Sequence, residues 1–337
     1  MRVLICTDRI GALASADAGA ALGRAFVAAR PDTQVAVVPA AVSGVALAEA
    51  LAALGDTSPV VSAAEHADPP GQREPVQRGL AELVTATTVE LGESLAAALE
   101  SRPRRVVVDL TASSAHDAGA GLLHALGATA DVPLDAGAAG LAGITRVDCA
   151  AARALVGRTE LVAVVPTAQL GDLLLGLRGL TARRGHTDGA DPALMLATDA
   201  HLGALAAALG VADAPGLGAA GGAVLALNAL GAWPTSGPAL CAHVASLERT
   251  AAQADVIVTG ADTLDFATRG GEVVGEVAVI GGRVLRPCVA VAREVFVSAR
   301  ELRTFGIEVA YALGGPQELD AAALTGSARG MASSWTW

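Results

Sequence analysis

The chain has 337 residues, of which 53% are hydrophobic and 2% aromatic, and its formal net charge is −11. That length is typical of about two domains, and the acidic balance argues against nucleic acid and anionic membrane surfaces as partners. All 23 basic residues are arginine, which excludes a P-loop and Schiff-base catalysis, because both need a lysine side chain.

The predicted elements alternate between strands and helices along the chain. Apolar runs predict strands at 2–7, 34–40, 59–64, 104–110, 159–166, 254–258, 276–282, 288–292 and 308–313. Helical patterns predict helices at 14–29, 44–54, 76–100, 191–210, 216–233 and 239–252. The polar stretch 65–75 is the clearest early boundary signal, and 325–337 has the composition of a tail. This alternation predicts an α/β fold with a doubly wound parallel sheet.

Three further patterns bear on the class of protein. The N-terminal residues MRVLICTDR lack the long apolar region of a signal peptide, so we expect a cytoplasmic protein. The uncharged stretch 216–233 has the length of a membrane span, but its Gly- and Ala-rich composition favours a buried helix. The cysteines form no C-x-x-C pair and are expected to be buried single thiols: Cys6, Cys149, Cys241 and Cys288.

One group of polar side chains follows the predicted strand 104–110. Ser113, Ser114, His116 and Asp117 lie between this strand and a helix. A helix N-terminus with several hydroxyl groups is a reasonable anion site. The alternative is that Asp117 only caps the helix, which stabilises a helix by ~1 kcal/mol.

Acidic residues also follow the strands 2–7 and 254–258. Asp262 and Asp265 could hold Mg²⁺ together with substrate phosphates, since magnesium often uses only one or two carboxylates. Turn and cap hydrogen bonding is the alternative. For Asp8 the same two alternatives apply, ligand binding or turn hydrogen bonding. Its neighbour Arg9 is a candidate for attracting an acidic ligand.

The remaining motifs are weak. Gly216, Gly218 and Gly221 fit G-x-G-x-x-G, but no strand precedes them, so close helix packing or a phosphate-facing helix start is favoured over dinucleotide binding. The histidines show no metal-binding spacing, and neither H-E-x-x-H nor G-x-S-x-G occurs. We therefore expect no protein-bound metal centre.

Four stretches carry a family resemblance: ATTVELGESLAAALE (86–100), VVVDLTASSAHDAGAGLLHALGA (106–128), PGLGAAGGAVLAL (215–227) and ADVIVTGADTLDFATRGGE (254–272). In this order they resemble the type I glycerate kinases, which transfer phosphate from ATP to D-glycerate. Residues that agree with the family's motifs include Gly92, Glu93, Ser113, Asp117, Gly119, Gly121, Gly218, Gly221, Thr259, Gly260, Leu264, Asp265, Thr268 and Gly271.

The resemblance implies a two-domain architecture. A flavodoxin-like domain would comprise 1–64 plus 255–337, and a second α/β domain, 65–254, would be inserted into it. The site would be the cleft between them, lined by the loops 111–117 and 259–272. Its substrates would be a small hydroxy acid and Mg-ATP, and a homodimer is left open.

The candidate roles follow from the resemblance and from residue chemistry. Asp117, Asp262 and Asp265 would be catalytic, handling the metal and the substrate hydroxyl group. The ligand-binding candidates are Asp8, Arg9, Ser113, Ser114, His116, Arg183, Arg184, Gly218, Gly221, Thr259, Gly260 and Thr268.

Several charged positions of the family are substituted. Val165 and Ala261 stand where the family has carboxylates, whereas Thr263 and Glu272 stand where it has cations, and Arg184 replaces a lysine. Phosphoryl transfer needs cations on the phosphates and a carboxylate at the metal or the hydroxyl group. Two functions therefore stay open: an ATP-dependent kinase of D-glycerate or a similar hydroxy acid, and an inactive member that binds a ligand or regulates a partner and needs no cofactor.

Overall fold

The computed structural model describes residues 1–62, 79–113, 115–314 and 319–336. Its strands are β1 (Arg2–Thr7), β2 (Gln34–Pro39), β3 (Val60–Ser62), β4 (Arg105–Asp109), β5 (Thr129–Ala130), β6 (Val147–Asp148), β7 (Glu160–Val164), β8 (Trp233–Thr235), β9 (Val256–Leu264), β10 (Cys288–Val295) and β11 (Val309–Ala312). Its α-helices are α1 (Ser15–Ala29), α2 (Gly44–Ala53), α3 (Leu80–Leu83), α4 (Val89–Glu100), α5 (Ala120–Ala125), α6 (Gly137–Gly140), α7 (Ala150–Val156), α8 (Leu180–Asp188), α9 (Pro192–Leu209), α10 (Ala223–Ala229), α11 (Gly237–Val244), α12 (Leu247–Gln253), α13 (Gly271–Arg283), α14 (Ala299–Thr304), α15 (Ala321–Ser327) and α16 (Arg329–Trp335).

The chain divides into two compact units. Unit 1 comprises Met1–Thr57 and Gly237–Trp337, and unit 2 comprises Ser58–Ser236. The sequence prediction assigned 58–62 to the flavodoxin-like domain, whereas these residues belong to unit 2, where β3 pairs with β4. It assigned 237–254 to the inserted domain, whereas these residues belong to unit 1. The reason is packing, since α11 contacts α2 and α13, and α12 contacts α13 and β1. The predicted boundary stretch 65–75 lies outside the described residues.

Unit 1 is built on a parallel sheet in the order β11-β10-β9-β1-β2. β1 pairs with β2 from Arg2↔Gln34 and with β9 from Val3↔Val256. Numbered within the unit, this is the flavodoxin-like order, and its switch point lies between β1 and β9. Ligands of such sheets bind at the carboxyl ends of the strands that flank the switch point. Asp8 and Asp262 belong to those ends.

The C-terminal residues are not the tail that their composition predicted. They form α15 and α16, which pack on α1 and bury Leu324 and Met331 in the same core as Leu22. The hydroxyl group of Thr325 donates to Ala21 O at 3.0 Å. Small residues in α15 and α16 allow these helices to approach α1 closely. The same small residues gave the segment the composition of a tail, which explains the wrong prediction.

The stretch 276–282, predicted as a strand, lies within α13. Its buried residues recur at Val273, Val277, Ile280 and Gly281, which is the spacing of one helix face. Periodicity alone cannot distinguish a short buried strand from part of a buried helix. Here the helix also includes the preceding residues Gly271 and Gly275.

Unit 2 contains a second parallel sheet in the order β3-β4-β7-β8, together with the antiparallel pair β5-β6. The central strands β4 and β7 pair from Arg105↔Glu160, and their apolar residues are fully buried. Strands buried on both faces read as continuous apolar runs, which is why 104–110 and 159–166 were predictable. The uncharged stretch 216–233 contains α10, whose residues from Ala223 to Leu227 are buried as predicted.

Within the described residues, α9 is the helix long and apolar enough to cross a membrane by length and composition. It also carries two hydrogen-bonded polar side chains. Asp199 accepts from Gly176 N at 3.1 Å, and His201 Nδ1 donates to Ala138 O at 3.2 Å. These bonds tie the helix to other segments of unit 2.

Gly221 joins the Gly-rich segment to the turn that follows β4. Its φ is +66°, and a Cβ added there would collide with the carbonyl oxygen of Ala115. Its own carbonyl oxygen accepts from Ala118 N at 3.1 Å. The absence of a side chain therefore allows two backbone segments of unit 2 to touch.

We expect Gly221→Ala to cost about 3 kcal/mol or more of the free energy of unfolding, because it adds a collision to an unfavourable φ. Gly143→Ala is the matched control: its φ is +81° and no atom lies within 4 Å of the added Cβ. The control should cost only ~1 kcal/mol. Urea denaturation followed by circular dichroism measures both, and equal costs would contradict the close contact.

Candidate functional site

The carboxyl ends of β1 and β9 meet at Gly260. Asp8 N and Thr7 Oγ1 both donate to Gly260 O, at 2.9 and 2.8 Å. A Cβ at Gly260 would lie 2.8 Å from Val291 O and 2.9 Å from Thr7 Oγ1, so glycine fits this position and a larger residue does not. The stretch from Thr259 onward was predicted to be a loop, but it continues β9 to Leu264 because β10 pairs with it throughout.

Asp262 is held by an arginine that sequence reasoning missed. Its Oδ1 accepts from Gly11 N at 3.0 Å and from Arg293 Nε at 3.1 Å, and its Oδ2 accepts from Arg293 Nη2 at 3.3 Å. The Arg293 guanidinium lowers the pKa of the Asp262 carboxyl group. The position of Arg293, directly after the predicted strand 288–292, was a usable signal, because side chains at the carboxyl ends of parallel strands gather at one edge.

Asp8 and Arg9 line a pocket beside this edge. Burial raises the pKa of Asp8, against the opposing effect of the Arg9 N–H group, which donates to Asp8 Oδ1 at 2.7 Å. Arg9 Nη2 donates to Gly11 O at 3.2 Å. The pocket has a volume of about 220 Å³, and its other lining residues are Ala12, Ala14, Ser15, Ala16, Ala41, Ala46, Glu49 and Ala50. We call Asp8, Arg9, Asp262 and Arg293 the unit 1 edge.

Asp265 and Thr268 form a local turn. Asp265 Oδ1 accepts from Thr268 N at 2.7 Å and from Thr268 Oγ1 at 3.0 Å, and these hydrogen bonds lower the pKa of Asp265. This is the turn geometry that the sequence offered as the alternative to metal binding. Thr259, in contrast, is fully buried, and its hydroxyl group has no hydrogen-bond partner among the described residues.

In unit 2, Asp117 is fully buried and receives donors on both carboxylate oxygens. Thr88 N donates at 2.8 Å, Gly119 N at 2.9 Å and Gly121 N at 3.1 Å, and Thr88 Oγ1 adds a further bond at 2.9 Å. Burial raises the pKa of Asp117, while these bonds favour its ionised form. The carboxylate thereby joins the start of α4 to the start of α5, which is the structural alternative to a catalytic role.

His116 lies next to Asp117 but is bonded elsewhere. Its Nε2 lies 3.0 Å from Thr181 Oγ1 in α8, and it is almost fully buried. Burial lowers the pKa of His116 to about 4, with Arg184 acting in the same direction and Asp188 opposing it. His116 is therefore neutral at pH 7.

The arginines of α8 are paired. Arg183 bonds to Asp172, and Arg184 Nε donates to Asp188 Oδ2 at 2.9 Å. Ser113 is half-buried in the turn after β4, and Ser114 lies outside the described residues. Their ligand-binding roles, like the shared cleft of 111–117 and 259–272, stay predictions.

Gly218 packs as closely as Gly221. A Cβ there would collide with Leu173 O, and Gly218 N donates to Asp172 O at 3.1 Å. The segment around it is fixed by Gln169, whose Oε1 accepts from Ala220 N at 2.8 Å. These contacts are close packing between two backbone segments outside helices, and the choice between helix packing and a phosphate-facing helix start for the G-x-G-x-x-G motif stays a prediction.

The four cysteines are buried and free, as predicted. Burial raises the pKa of Cys241 to about 11 and of Cys288 to about 12, and it raises the pKa of Cys6 as well. These thiols are protonated at pH 7 and cannot act as nucleophiles. Across the described ranges, no group of three or more His, Cys, Asp and Glu residues is arranged to hold a metal ion.

Comparison with known proteins gives a consistent result. A model described as the glycerate kinase family matches residues 57–333. An uncharacterized protein of Mycobacterium bovis and one of Mycobacterium tuberculosis are each 29% identical to this chain and cover 93% of it and 84% of their own length. Glycerate 2-kinase of Escherichia coli is 25% identical and covers 93% of this chain and 90% of its own.

The fold has a counterpart among solved structures. The crystal structure of a protein named glycerate kinase 2 from Salmonella typhimurium superposes with a TM-score of 0.76 at 22% identity, over 99% of this chain and 98% of that one. The α/β fold class and the resemblance predicted from the four sequence stretches are confirmed.

The neutral His116 predicts a pH dependence of stability. Its pKa is about 4 in the folded protein against an ordinary value of 6.5, so the unfolded chain gains the proton first as pH falls. Stability should drop between pH 6.5 and 4 by roughly 2–4 kcal/mol from this group. In His116→Gln, which can still bond to Thr181, that share of the drop should vanish. Urea denaturation at pH 4.5 and 7.5 measures it, with exposed His186→Gln as control; an unchanged drop in His116→Gln would contradict the assignment.

Proposed function

Because the chain belongs to the glycerate kinase family, we propose that it is a kinase of a small hydroxy acid related to D-glycerate, with Mg-ATP as the phosphate donor. The observation that carries the proposal is the unit 1 edge, where Asp8, Arg9 and Asp262 lie at the switch point of a flavodoxin-like sheet. This is the place where such sheets bind ligands. The name of the Escherichia coli relative, glycerate 2-kinase, supports the substrate class.

Asp8 is the best-placed acceptor for the substrate's hydroxyl proton. The three carboxylates predicted to be catalytic are occupied: Asp262 by Arg293, Asp265 by Thr268 and Asp117 by the amides around it. Asp8 lines a pocket, and its raised pKa suits a general base. In the reaction, the hydroxyl oxygen bonds to the γ-phosphorus of ATP, the bond to the β-phosphate oxygen breaks, and the proton passes to Asp8.

The described residues do not fit a resident magnesium site. Both oxygens of Asp262 face Arg293, and Asp265 closes its own turn. Mg²⁺ therefore belongs to the Mg-ATP substrate rather than to a site of this chain. Asp262 instead pairs with Arg293 and accepts a hydrogen bond from Gly11 N.

A second function, ligand binding without phosphoryl transfer, is favoured by two buried positions. Val165 is fully buried and Ala261 is 8% exposed, where the family resemblance implies carboxylates. Neither side chain can coordinate a cation or accept a proton. Glu272, where the family has a cation, adds a negative charge that disfavours a nucleotide. In this alternative the pocket still binds the acid, but nucleotide affinity is weak.

The two functions differ in turnover. A coupled assay with Mg-ATP and D-glycerate should give ~1–100 turnovers per second for a kinase. Asp8→Asn should lower kcat by roughly 10²–10⁴-fold, whereas Asp265→Asn should leave kcat nearly unchanged because Asp265 serves a turn. A large loss in Asp265→Asn alone would restore the sequence assignment of that residue. No turnover in the wild type, with intact glycerate binding by calorimetry, would select the second function.

The alternative can be tested by restoring charge. Thr263 and Glu272 are half-buried, so Thr263→Arg with Glu272→Lys should fold normally and tighten Mg-ATP binding. Ala261→Glu and Val165→Asp are expected to cost several kcal/mol each, since both side chains are buried. Calorimetric titration of the double variant beside the wild type is the measurement, and an unchanged affinity for Mg-ATP would argue against charge loss as the cause of weak binding.

A further inference from the structure

Two exposed phenylalanines are neighbours where β9 and β10 end. These strands pair as far as Leu264↔Val295, and Phe296 N donates to Leu264 O at 2.8 Å. Phe266 follows two residues after Leu264, and neighbouring strands are ~4.8 Å apart, so both phenylalanines border one surface. Phe266 is 64% exposed and Phe296 is 69% exposed. Adjacent exposed rings mark an interaction surface, whereas single exposed apolar residues are common.

The turn after β9 connects this surface to α14. Arg269 N donates to Asp265 O at 3.0 Å, which closes the turn. The Arg269 guanidinium lies 4.6 Å from the centre of the Phe305 ring at the end of α14. This cation–π contact brings a third phenylalanine to the surface. We call Phe266, Phe296, Phe305 and Arg269 the aromatic patch.

Two further arginines belong to the same surface. Arg300 and Arg303 are exposed in α14, on the segment that joins Phe296 to Phe305, and they lie one helical turn apart. Across the described ranges, no carboxylate forms an ion pair with Arg269, Arg300 or Arg303. Aromatic residues and arginine are the side chains enriched at protein–protein interfaces.

The charge of this surface indicates the kind of partner. The segments 265–270 and 296–305 carry three arginines and two carboxylates, a net charge of +1, whereas the chain carries −11. Both carboxylates accept hydrogen bonds from their own segments, Asp265 in the turn after β9 and Glu301 in the capping box of α14. The arginines are therefore the charges that remain for a partner, and an acidic partner complements them.

Other occupants fit this surface less well. A second copy related by a two-fold axis would place the arginines of the patch against the same arginines. An anionic membrane would attract the arginines but repel a chain with a net charge of −11. A segment of another protein, with acidic residues beside apolar ones, meets neither obstacle.

We infer that the aromatic patch is a docking site for an acidic segment of another protein. The apolar side chains of this segment pack on Phe266 and Phe296. Its carboxylates pair with Arg269, Arg300 and Arg303. The inference does not depend on phosphoryl transfer or on the pocket of unit 1, so it can fail while the proposed function stands.

The test is calorimetric titration with three synthetic peptides of equal length. The first has the sequence Glu-Glu-Phe-Leu-Glu-Glu, the second has glutamine in place of each glutamate, and the third has alanine in place of Phe and Leu. The first should bind, and the other two should each bind about tenfold more weakly or worse, because the patch offers both charge and apolar surface. Raising the salt concentration from ~0.1 M to ~1 M should weaken binding of the first peptide.

Single substitutions locate the binding surface. Phe266→Ser and Arg303→Gln should each raise the Kd of the first peptide about tenfold. The matched controls Leu177→Ser and Arg178→Gln change an exposed leucine and the exposed arginine beside it in unit 2, and they should leave the Kd unchanged. All four side chains are exposed, so the variants should fold, and melting curves by circular dichroism check this. An unchanged Kd in both patch variants would overturn the inference.

The remaining outcomes assign the patch to other occupants. No binding of the first peptide, or equal binding of all three, overturns the docking site. Sedimentation equilibrium tests the second copy, because a wild-type dimer that Phe266→Ser dissociates would show self-association instead. Co-sedimentation of the wild type, but not of Phe266→Ser, with phosphatidylglycerol vesicles would show membrane binding. Displacement of the peptide by Mg-ATP would assign the patch to the nucleotide, and each of these three results also overturns the inference.

Discussion

The unit 1 edge depends on the approach of β1 to β9 at one residue without a side chain. The carbonyl oxygen of Gly260 accepts hydrogen bonds from Asp8 N and Thr7 Oγ1. This double acceptance fixes the chain as it leaves β1, and so fixes the direction in which Asp8 and Arg9 enter the pocket. It also places Gly11 against Asp262, which in turn orients Arg293. The charged groups of the edge therefore follow from a backbone contact.

In unit 2 a buried carboxylate fixes the backbone, as the carbonyl oxygen of Gly260 does in unit 1. Asp117 receives the amides of Thr88, Gly119 and Gly121, so the starts of two helices are held by one side chain. Burying a charge is unfavourable unless it is fully hydrogen-bonded. Asp117 is fully hydrogen-bonded. Its structural role alone therefore explains why this residue matches the family motif. Agreement with a motif does not separate residues that shape a site from residues that react in it.

The sequence was most informative where burial alone determines structure. Strands 2–7 and 104–110 were located to within a residue because strands buried on both faces are continuously apolar. The predicted strand 254–258 ended too early, because the continuation of β9 to Leu264 depends on pairing with β10, which lies further along the chain. Arg293 was missed for the same reason, since its bond to Asp262 joins residues that only the sheet brings together. The resemblance supplied the family, but burial of Ala261 could be found only from the folded chain.

Unit 1 is assembled from both ends of the chain, and this sets an order of events during synthesis. The bond between Thr7 and Gly260 joins residues 253 positions apart. At ~5–20 residues per second, roughly 13–50 seconds separate the emergence of the two strands. All of unit 2 is made in that interval and can fold first, while β1, α1 and β2 wait with an apolar face uncovered. The nascent N-terminal segment therefore keeps apolar surface exposed until β9 has been synthesised and can pair with β1.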